Sequence, residues 1–575
     1  MLQINRPGIY RFREFLANLD HRVKLGIIGF IVGLTSGLAA IGLNTGLNYF
    51  TSLFFKHSVN WTQLVLPVAG LVLTVILLKF VIRDYGGHGL PEVIHSISLK
   101  GGRIKFRSSF SKLLGGLITI STGGSAGPEA PVVVSGSAIG SNVAGLFRTN
   151  EKIRIAVTGS GAAAAIAAIF NAPITGIIFT MEVIIGEWTP VYLLPVVIAS
   201  VTGTEISRLL NGNQIPFTHH TFAVTTTDIT LSLGLALLCA LFTVLFIKML
   251  RNTSSYLGKI SKNTVIKAVL GGIPVAVITF YLPYVRAEGY EFIQQLISGS
   301  FDSSIGLLLL IVIMKIVATS FTLGAGGAGG IFAPALVIGS AGGYLFHSII
   351  RMLIPAITLS DANLYALVGM SGLISGTLQA PLTGIFLIIE LTNGYDAILP
   401  LLLVSFLTPT LVRMVEKHSI YHYELVKKGY LHLPRTDGRI LADIRPIELL
   451  EKDQSIIHPG LLLKDLIPVI QKSRRNYYPV VDQITGNFLG LVYFNDLKEF
   501  IFDETLASTI LVDELMHTDL TIVSLSDNLL DIQNKFDTSD TWSLPVVEDG
   551  KFKGLISKAT MFDLYRKELK VQTDK

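Results

Sequence analysis

The sequence predicts an all-α polytopic membrane protein built from an internal repeat, followed by a soluble α/β module. Three observations carry this. The chain has 575 residues, 50% hydrophobic and only 15% charged, against roughly 25% charged in an average globular chain. One Gly- and Pro-containing phrase occurs twice inside apolar sequence, as NAPITGIIFTME (171–182) and QAPLTGIFLIIE (379–390). After residue 425 the composition turns polar.

Residues 1–22 are amphipathic and suit a membrane surface. Segments 25–47 and 62–82 approach the ~20 apolar residues needed to cross a bilayer. The first is too long, with the wrong flanks, for a cleaved signal peptide. Basic clusters at Arg6, Arg11, Arg13, Arg22 and Lys24, and at Lys100, Arg103, Lys105, Arg107 and Lys112, flank apolar segments. The positive-inside rule places both on the cytoplasmic side. The net charge of +5 does not argue for nucleic acid, and the single Cys239 excludes an intramolecular disulfide.

Repeat one spans 23–212 and repeat two 228–416. Ala130-Pro131 in GPEAPVVVSG is echoed by Ala333-Pro334 in GIFAPALVIG. Apolar stretches 130–145, 154–168 and 363–376 are shorter than a full span. A segment that stops within the membrane leaves N–H groups that lipid cannot satisfy, so it must face protein or a polar cavity. Interrupted helices at matching places in two halves point to a mid-membrane substrate site.

Three Gly-rich phrases carry the chemistry: Gly87-His88-Gly89-Leu90-Pro91, Gly124-Ser125-Ala126-Gly127-Pro128 and Gly329-Gly330-Ile331-Phe332-Ala333-Pro334. Each reads as a loop with Pro in the first turn of a helix, where Pro loses no hydrogen bond. Helix N-termini expose unpaired N–H groups and about +0.5 of a charge. Several such ends converging would bind an anion and still release it.

These phrases, with Tyr421 in SIYHYEL, resemble the signature motifs of the CLC family of chloride channels and chloride/proton antiporters, over residues 20–425. The resemblance implies inverted repeats, broken helices, a homodimer in a lipid bilayer with one pore per subunit, and both termini in the cytoplasm of a cell (inner) membrane. It implies a central chloride on the amides of Ile331 and Phe332 and the Tyr421 hydroxyl. An outer site would use Ser125, Ala126 and Gly127, and an inner one His88 and Gly89. The gating glutamate of the family is expected at Ala126 and its internal proton-transfer glutamate at Val183, directly after Glu182. With both replaced, the expectation is an uncoupled chloride channel. Glu129, about one turn from Ala126, is the one carboxylate that would restore a gate and proton coupling; otherwise it is a first-turn residue stabilised by the helix dipole. Glu182 and Glu390, matched in the two repeats, are expected to cap or bridge helices. His88 replaces the usual serine and would make conductance depend on cytoplasmic pH.

The soluble part repeats too. NYYPVVDQITGNFLGLVYFNDL (476–497) matches TWSLPVVEDGKFKGLISKATMF (541–562), each preceded by an amphipathic helix. This resembles a tandem CBS pair, a regulatory module that often binds adenine nucleotides. The divisions are then a pore domain over 1–425, a linker over 426–448 and the CBS pair over 449–575. No cofactor is required; an adenine nucleotide would be met by Tyr477, Tyr478, Asp496, Ser557 and Thr560. The chain holds no HExxH motif and no nucleophile with a matched His and Asp, so an enzyme and a metal site are not expected. A non-conducting sensor with the CBS pair as output is the reading from another class.

Overall fold

The computed structural model describes residues 20–56, 60–84, 89–213, 217, 222–301, 304–427, 446–451, 455–473, 475–527, 529–539 and 541–573. The chain divides into two compact units, Met1–Leu431 and His432–Lys575.

Among its described residues, the first unit is built of helices and the turns between them. Its first half holds α1 (His21–Lys56), α2 (Asn60–Ile76), α3 (Leu90–Leu99), α4 (Ser108–Ser121), α5 (Glu129–Leu146), α6 (Glu151–Phe170), α7 (Pro173–Phe179) and α8 (Pro190–Asn211). The second half holds α9 (Thr226–Ile260), α10 (Thr264–Tyr281), α11 (Tyr290–Ile297), α12 (Ile305–Gly324), α13 (Phe332–Leu353), α14 (Ala362–Leu378), α15 (Pro381–Thr392) and α16 (Ile398–Val415). The two sets of eight helices correspond one to one. α17 (Ile420–Lys427) follows, with no counterpart among the described residues. Among the described residues, nine helices are long and apolar enough to cross a membrane. The stretch 154–168, expected to be too short, is the middle of α6, which is one of the nine. Polar residues at its start, beginning with the Asn150 cap on Ile153 N, lengthen the helix beyond its apolar run.

The twice-written phrase has a local cause. Asn171 and Gln379 end α6 and α14 in the left-handed region, at φ 54° and 55°. Ala172 and Ala380 are extended, because the following proline disfavours helix there. Pro173 and Pro381 then open α7 and α15. Each of these helices is capped by a carboxylate from the other half. Glu182 accepts from Leu382 N, Thr383 N and Thr383 Oγ1 at 3.2, 2.8 and 2.7 Å. Glu390 accepts from Ile174 N, Thr175 N and Thr175 Oγ1 at 2.9, 2.7 and 2.6 Å. The expected capping role of both residues is thus observed, and it staples one half to the other.

The reciprocity extends to the interior. Ser125 N donates to Thr322 Oγ1 and Ala328 N to Thr119 Oγ1, each at 3.1 Å. Gly127 and Gly330 sit on the pseudo-two-fold, exchanging both backbone hydrogen bonds at 2.9 and 2.7 Å. Helices α5 and α6 pack together as α13 and α14 do, while α2 meets α10 and α7 meets α15 across the halves.

In the second unit, β1 (Tyr477–Val481) pairs antiparallel with β2 (Phe488–Tyr493), and β3 (Ser543–Glu548) with β4 (Lys551–Ser557). Pro479 opposes Leu491 and Pro545 opposes Leu555, and both hairpins shift register one residue after the first valine. Helices α18 (Leu463–Lys472) and α19 (Leu529–Ser539) precede the hairpins. The second tandem repeat is therefore structural, down to the bulge.

Candidate anion site

Six elements converge. α3 touches α5, α17 and the turn Thr180–Ile185, while α5 touches α13 and α14 touches α17. α5 and α13 supply the donors. Each begins with a residue, an alanine and a proline: Glu129-Ala130-Pro131 and Phe332-Ala333-Pro334. Proline has no N–H, and the next residue already bonds back, Val132 N to Pro128 O at 3.1 Å and Ala335 N to Ile331 O at 2.9 Å. The amides left without intrahelical partners are those of Glu129, Ala130, Phe332 and Ala333.

The Glu129 carboxylate stands among them. It is 2% exposed. Its own N–H and that of Ala333 face it, though Oε2 closes no hydrogen bond of normal geometry. A Cβ on Gly127 would come within 1.9 Å of Oε2, so a side chain there would displace the carboxylate, and one on Gly330 would come within 3.2 Å, a tight contact. Oε1 accepts a 2.5 Å hydrogen bond from the Tyr290 hydroxyl. A buried carboxylate oxygen left open beside orphan amides is where a functional anion is expected.

The residues predicted from sequence fall differently. Ser125 N and Gly127 N are spent on Thr322 and Gly330, and Ser125 Oγ pairs with Thr319 Oγ1 at 2.9 Å. They interlock the halves and are not free donors for an outer anion. Ala126 is fully buried with its Cβ packed over Gly329. The register of the repeat sets Ala126 opposite Gly329 and Glu129 opposite Phe332. Ala126 supplies no carboxylate, and the buried carboxylate nearby is that of Glu129, three residues on.

Ile331 precedes α13, and Phe332 packs its ring on Phe170 and Phe179, with centroids 5.6 and 6.2 Å apart. That turns the side chain away and leaves the amide at the site. Tyr421, 2% exposed on α17, belongs to the same buried cluster as Ile331 and Phe332. Gly89 opens α3 at φ 72°. His88 lies outside the described residues. Val183 is buried in the turn that touches α3, and it carries no titratable group. Sequence reasoning missed Tyr290, which stands outside every Gly-rich phrase, and the free amides of Ala130 and Ala333.

One of the cavities in the second unit, about 430 Å³, is lined by Glu451, Arg475, Tyr477, Asn495, Trp542 and Ser557 among others. Glu451 is its hub, accepting from Ser557 Oγ at 2.7 Å and Thr560 Oγ1 at 3.0 Å, and pairing with Arg475 Nη1 at 2.9 Å. Tyr477 and Ser557 line this cavity, and Thr560 does not. Nor does Tyr478: it is 1% exposed with its hydroxyl on Arg475 O. Asp496 bonds His517 at 2.8 Å and is not among the lining residues. Alternation along β1 explains the tyrosines, since neighbours in a strand face opposite sides.

With this geometry the chain can be set beside known proteins. The family model described as voltage gated chloride channel matches residues 69–413, more than half of the chain. A CBS domain model matches residues 512–567. The H(+)/Cl(-) exchange transporter ClcA of Vibrio cholerae serotype O1 (strain M66-2) is 31% identical over 346 residues, covering 59% of this chain and 73% of the relative. The chloride channel protein CLC-f of Arabidopsis thaliana is 25% identical over 561 residues, covering 84% and 70%. Two solved structures share the fold. A slow cyanobacterial Cl-/H+ antiporter has a TM-score of 0.64 at 22% identity, covering 72% of this chain and 99% of its own. A eukaryotic CLC transporter has 0.62 at 18%, covering 96% and 98%. The inverted repeat, the broken helices and the family match agree, and the chain belongs to the CLC family, as a multi-pass membrane protein with a CBS region behind its membrane domain.

Proposed function

We propose that this protein conducts chloride through a pathway whose outer gate is the Glu129 carboxylate. The observation that carries the reading is the place of that carboxylate, among the orphan amides of α5 and α13 where a permeating anion would sit. Chloride and the ionised carboxylate compete for the same donors, so protonation of Glu129 or displacement by chloride opens the path. Phe332 and Ala333 amides and the Tyr421 hydroxyl then hold the ion. The family resemblance sets the internal proton glutamate at Val183, a side chain that cannot titrate, and proton movement at fixed stoichiometry needs such a relay. The proposal is therefore a proton-gated, passive chloride pathway.

Coupled exchange is the second reading. It is favoured by Glu129 itself and by the exchange activity in the name of the Vibrio relative. Liposome experiments that record chloride efflux and external pH together, with and without a protonophore, separate the two. Fast efflux without uphill proton movement is expected. Chloride-driven proton pumping would assign exchange and a relay that bypasses Val183.

We further propose a homodimer in the cell (inner) membrane with the CBS pair in the cytoplasm. In that pair an adenine nucleotide would place its ribose hydroxyls on Glu451 and its base against Tyr477. Calorimetry of the whole protein with adenosine and with ATP tests this. Heat with both, lost in Glu451→Ala, is expected; no signal from either would remove the nucleotide from the account.

A further inference from the structure

Across from the gate carboxylate stands a side chain that none of the Gly-rich phrases contains. Tyr290 is the first residue of α11, and its hydroxyl reaches Glu129 from 161 residues away in the chain. Its ring is held edge-on to Phe217, with centroids 6.1 Å apart. The backbone under it is constrained as well. Gly289 turns at φ 84°, a conformation that glycine adopts without a Cβ penalty. The turn is tied down by Lys315 of α12, fully buried, whose Nζ donates to the carbonyls of Val285, Ala287 and Glu288 at 3.0, 2.8 and 3.4 Å.

The repeat shows what is special here. A Cβ on Gly289 would meet Val337 Cγ2 at 2.8 Å and Lys315 Nζ at 3.4 Å; one on Gly89 would meet Val134 Cγ2 at 2.7 Å and Lys112 Cε at 3.4 Å. Glycine, lysine and valine recur in the same arrangement, so α11 is the second-half copy of α3. The residue after the glycine differs, Leu90 in α3 and Tyr290 in α11. A hydroxyl at this point thus exists in one half only, and it is the half that faces Glu129.

We propose that Tyr290 is the latch of the gate, a positioning residue whose hydroxyl holds the Glu129 carboxylate in the closed place. This rests on Glu129 being the gate. While Glu129 is ionised the bond belongs to the stronger, charge-assisted class, and the rigid turn behind Tyr290 prevents it from following the carboxylate as it swings away. The charged and titratable groups around Glu129 are Tyr290, Glu288 before α11, Lys315 on α12 and Tyr421 on α17. Tyr290→Phe changes only the first.

The test is chloride efflux from liposomes between external pH 5 and 8 for the native protein, Y290F, E129Q and the double variant. One hydrogen bond to a charged group predicts that Y290F raises flux at neutral pH about tenfold and moves the flux–pH profile to higher pH by about one unit. In the E129Q background the same substitution should change nothing. A native-like Y290F profile beside a pH-insensitive E129Q overturns the latch and leaves the gate. A native-like E129Q profile removes both. Equal gains in both backgrounds also overturn the latch, since the hydroxyl would then act on the pore and not through Glu129. Should Y290F fail to fold, infrared difference spectra of the native protein decide. The carboxyl band that E129Q abolishes must show a hydrogen-bonded group, and the frequency of a free one overturns the proposal.

Discussion

Replacing Glu129 by alanine is expected to raise chloride flux at neutral pH by at least an order of magnitude and to abolish its dependence on external pH between 5 and 8. The size follows from what the carboxylate competes for. It sits at the N-termini of two helices, each worth about 0.3–1 kcal/mol to a surface anion and up to about 2 kcal/mol when partly buried. It also accepts a charge-assisted bond from Tyr290, a class that contributes about 1.5–3 kcal/mol. A chloride arriving at the same amides must displace a group held by some 2–4 kcal/mol, and each 1.4 kcal/mol is a factor of about ten. Glutamine keeps the shape and removes the charge, so E129Q separates electrostatic competition from simple plugging. If charge dominates, E129Q loses pH dependence as fully as E129A. If bulk dominates, E129Q stays slow at every pH while E129A is fast. A native profile in both would exclude Glu129 as the gate. Ala126 offers no alternative, since its methyl group is packed over Gly329.

The difference between Ala126 and Glu129 also marks where the sequence was legible. The halves, the three Gly-rich phrases, the capping roles of Glu182 and Glu390 and the doubled CBS hairpin are all written as repeats, and a repeat reports the fold because both copies obey the same backbone constraints. The gate is a question of register. Gly124-Ser125-Ala126-Gly127-Pro128 and Gly127-Pro128-Glu129-Ala130-Pro131 both read as a glycine, two residues, a small residue and a proline. Motif matching alone chose the first. The pairing of Ala130-Pro131 with Ala333-Pro334 favours the second, because it sets Glu129 opposite Phe332 at the first position of each half-helix. Tyr290 had no comparable signal. Its partner is fixed by the tertiary path of α11, and a tyrosine after a glycine between apolar segments is unremarkable. The cavity of the second unit shows the same limit. Tyr477 and Tyr478 are equal candidates as residue types, and strand direction alone decides between them.

Gly161→Ala is expected to cost the protein its stable fold. Gly161 of α6 and Gly136 of α5 cross backbone to backbone. A Cβ on Gly161 would stand 1.9 Å from the Gly136 carbonyl oxygen, and one on Gly136 would stand 2.2 Å from that of Gly161. Neither obstacle is a side chain that could rotate. Both glycines are mid-helix and buried, so relief requires moving α5 and α6 apart as rigid bodies. Overpacking by a methylene typically costs about 1–3 kcal/mol where side chains can adjust, and here they cannot. The movement would also carry the start of α5, and with it Glu129, away from α13. Helices in lipid associate through such close contacts and not through a hydrophobic difference, so the lost packing has no compensation. The repeat supplies an internal check. Gly369 and Gly339 make the same crossing between α14 and α13, with oxygen contacts of 2.2 and 2.4 Å to an added Cβ, and Gly369→Ala should fail in the same way. Gly145, also in α5, has nothing within 4 Å of an added Cβ. Gly145→Ala should be neutral, or stabilise by about 0.4–1 kcal/mol through the loss of glycine's freedom in the unfolded chain. Monodisperse yield and thermal unfolding in detergent for the three variants read this directly. Survival of G161A with a native unfolding temperature would mean that the two helices do not cross at this distance. The placement of Glu129, which depends on the same helix, would then have to be abandoned with it.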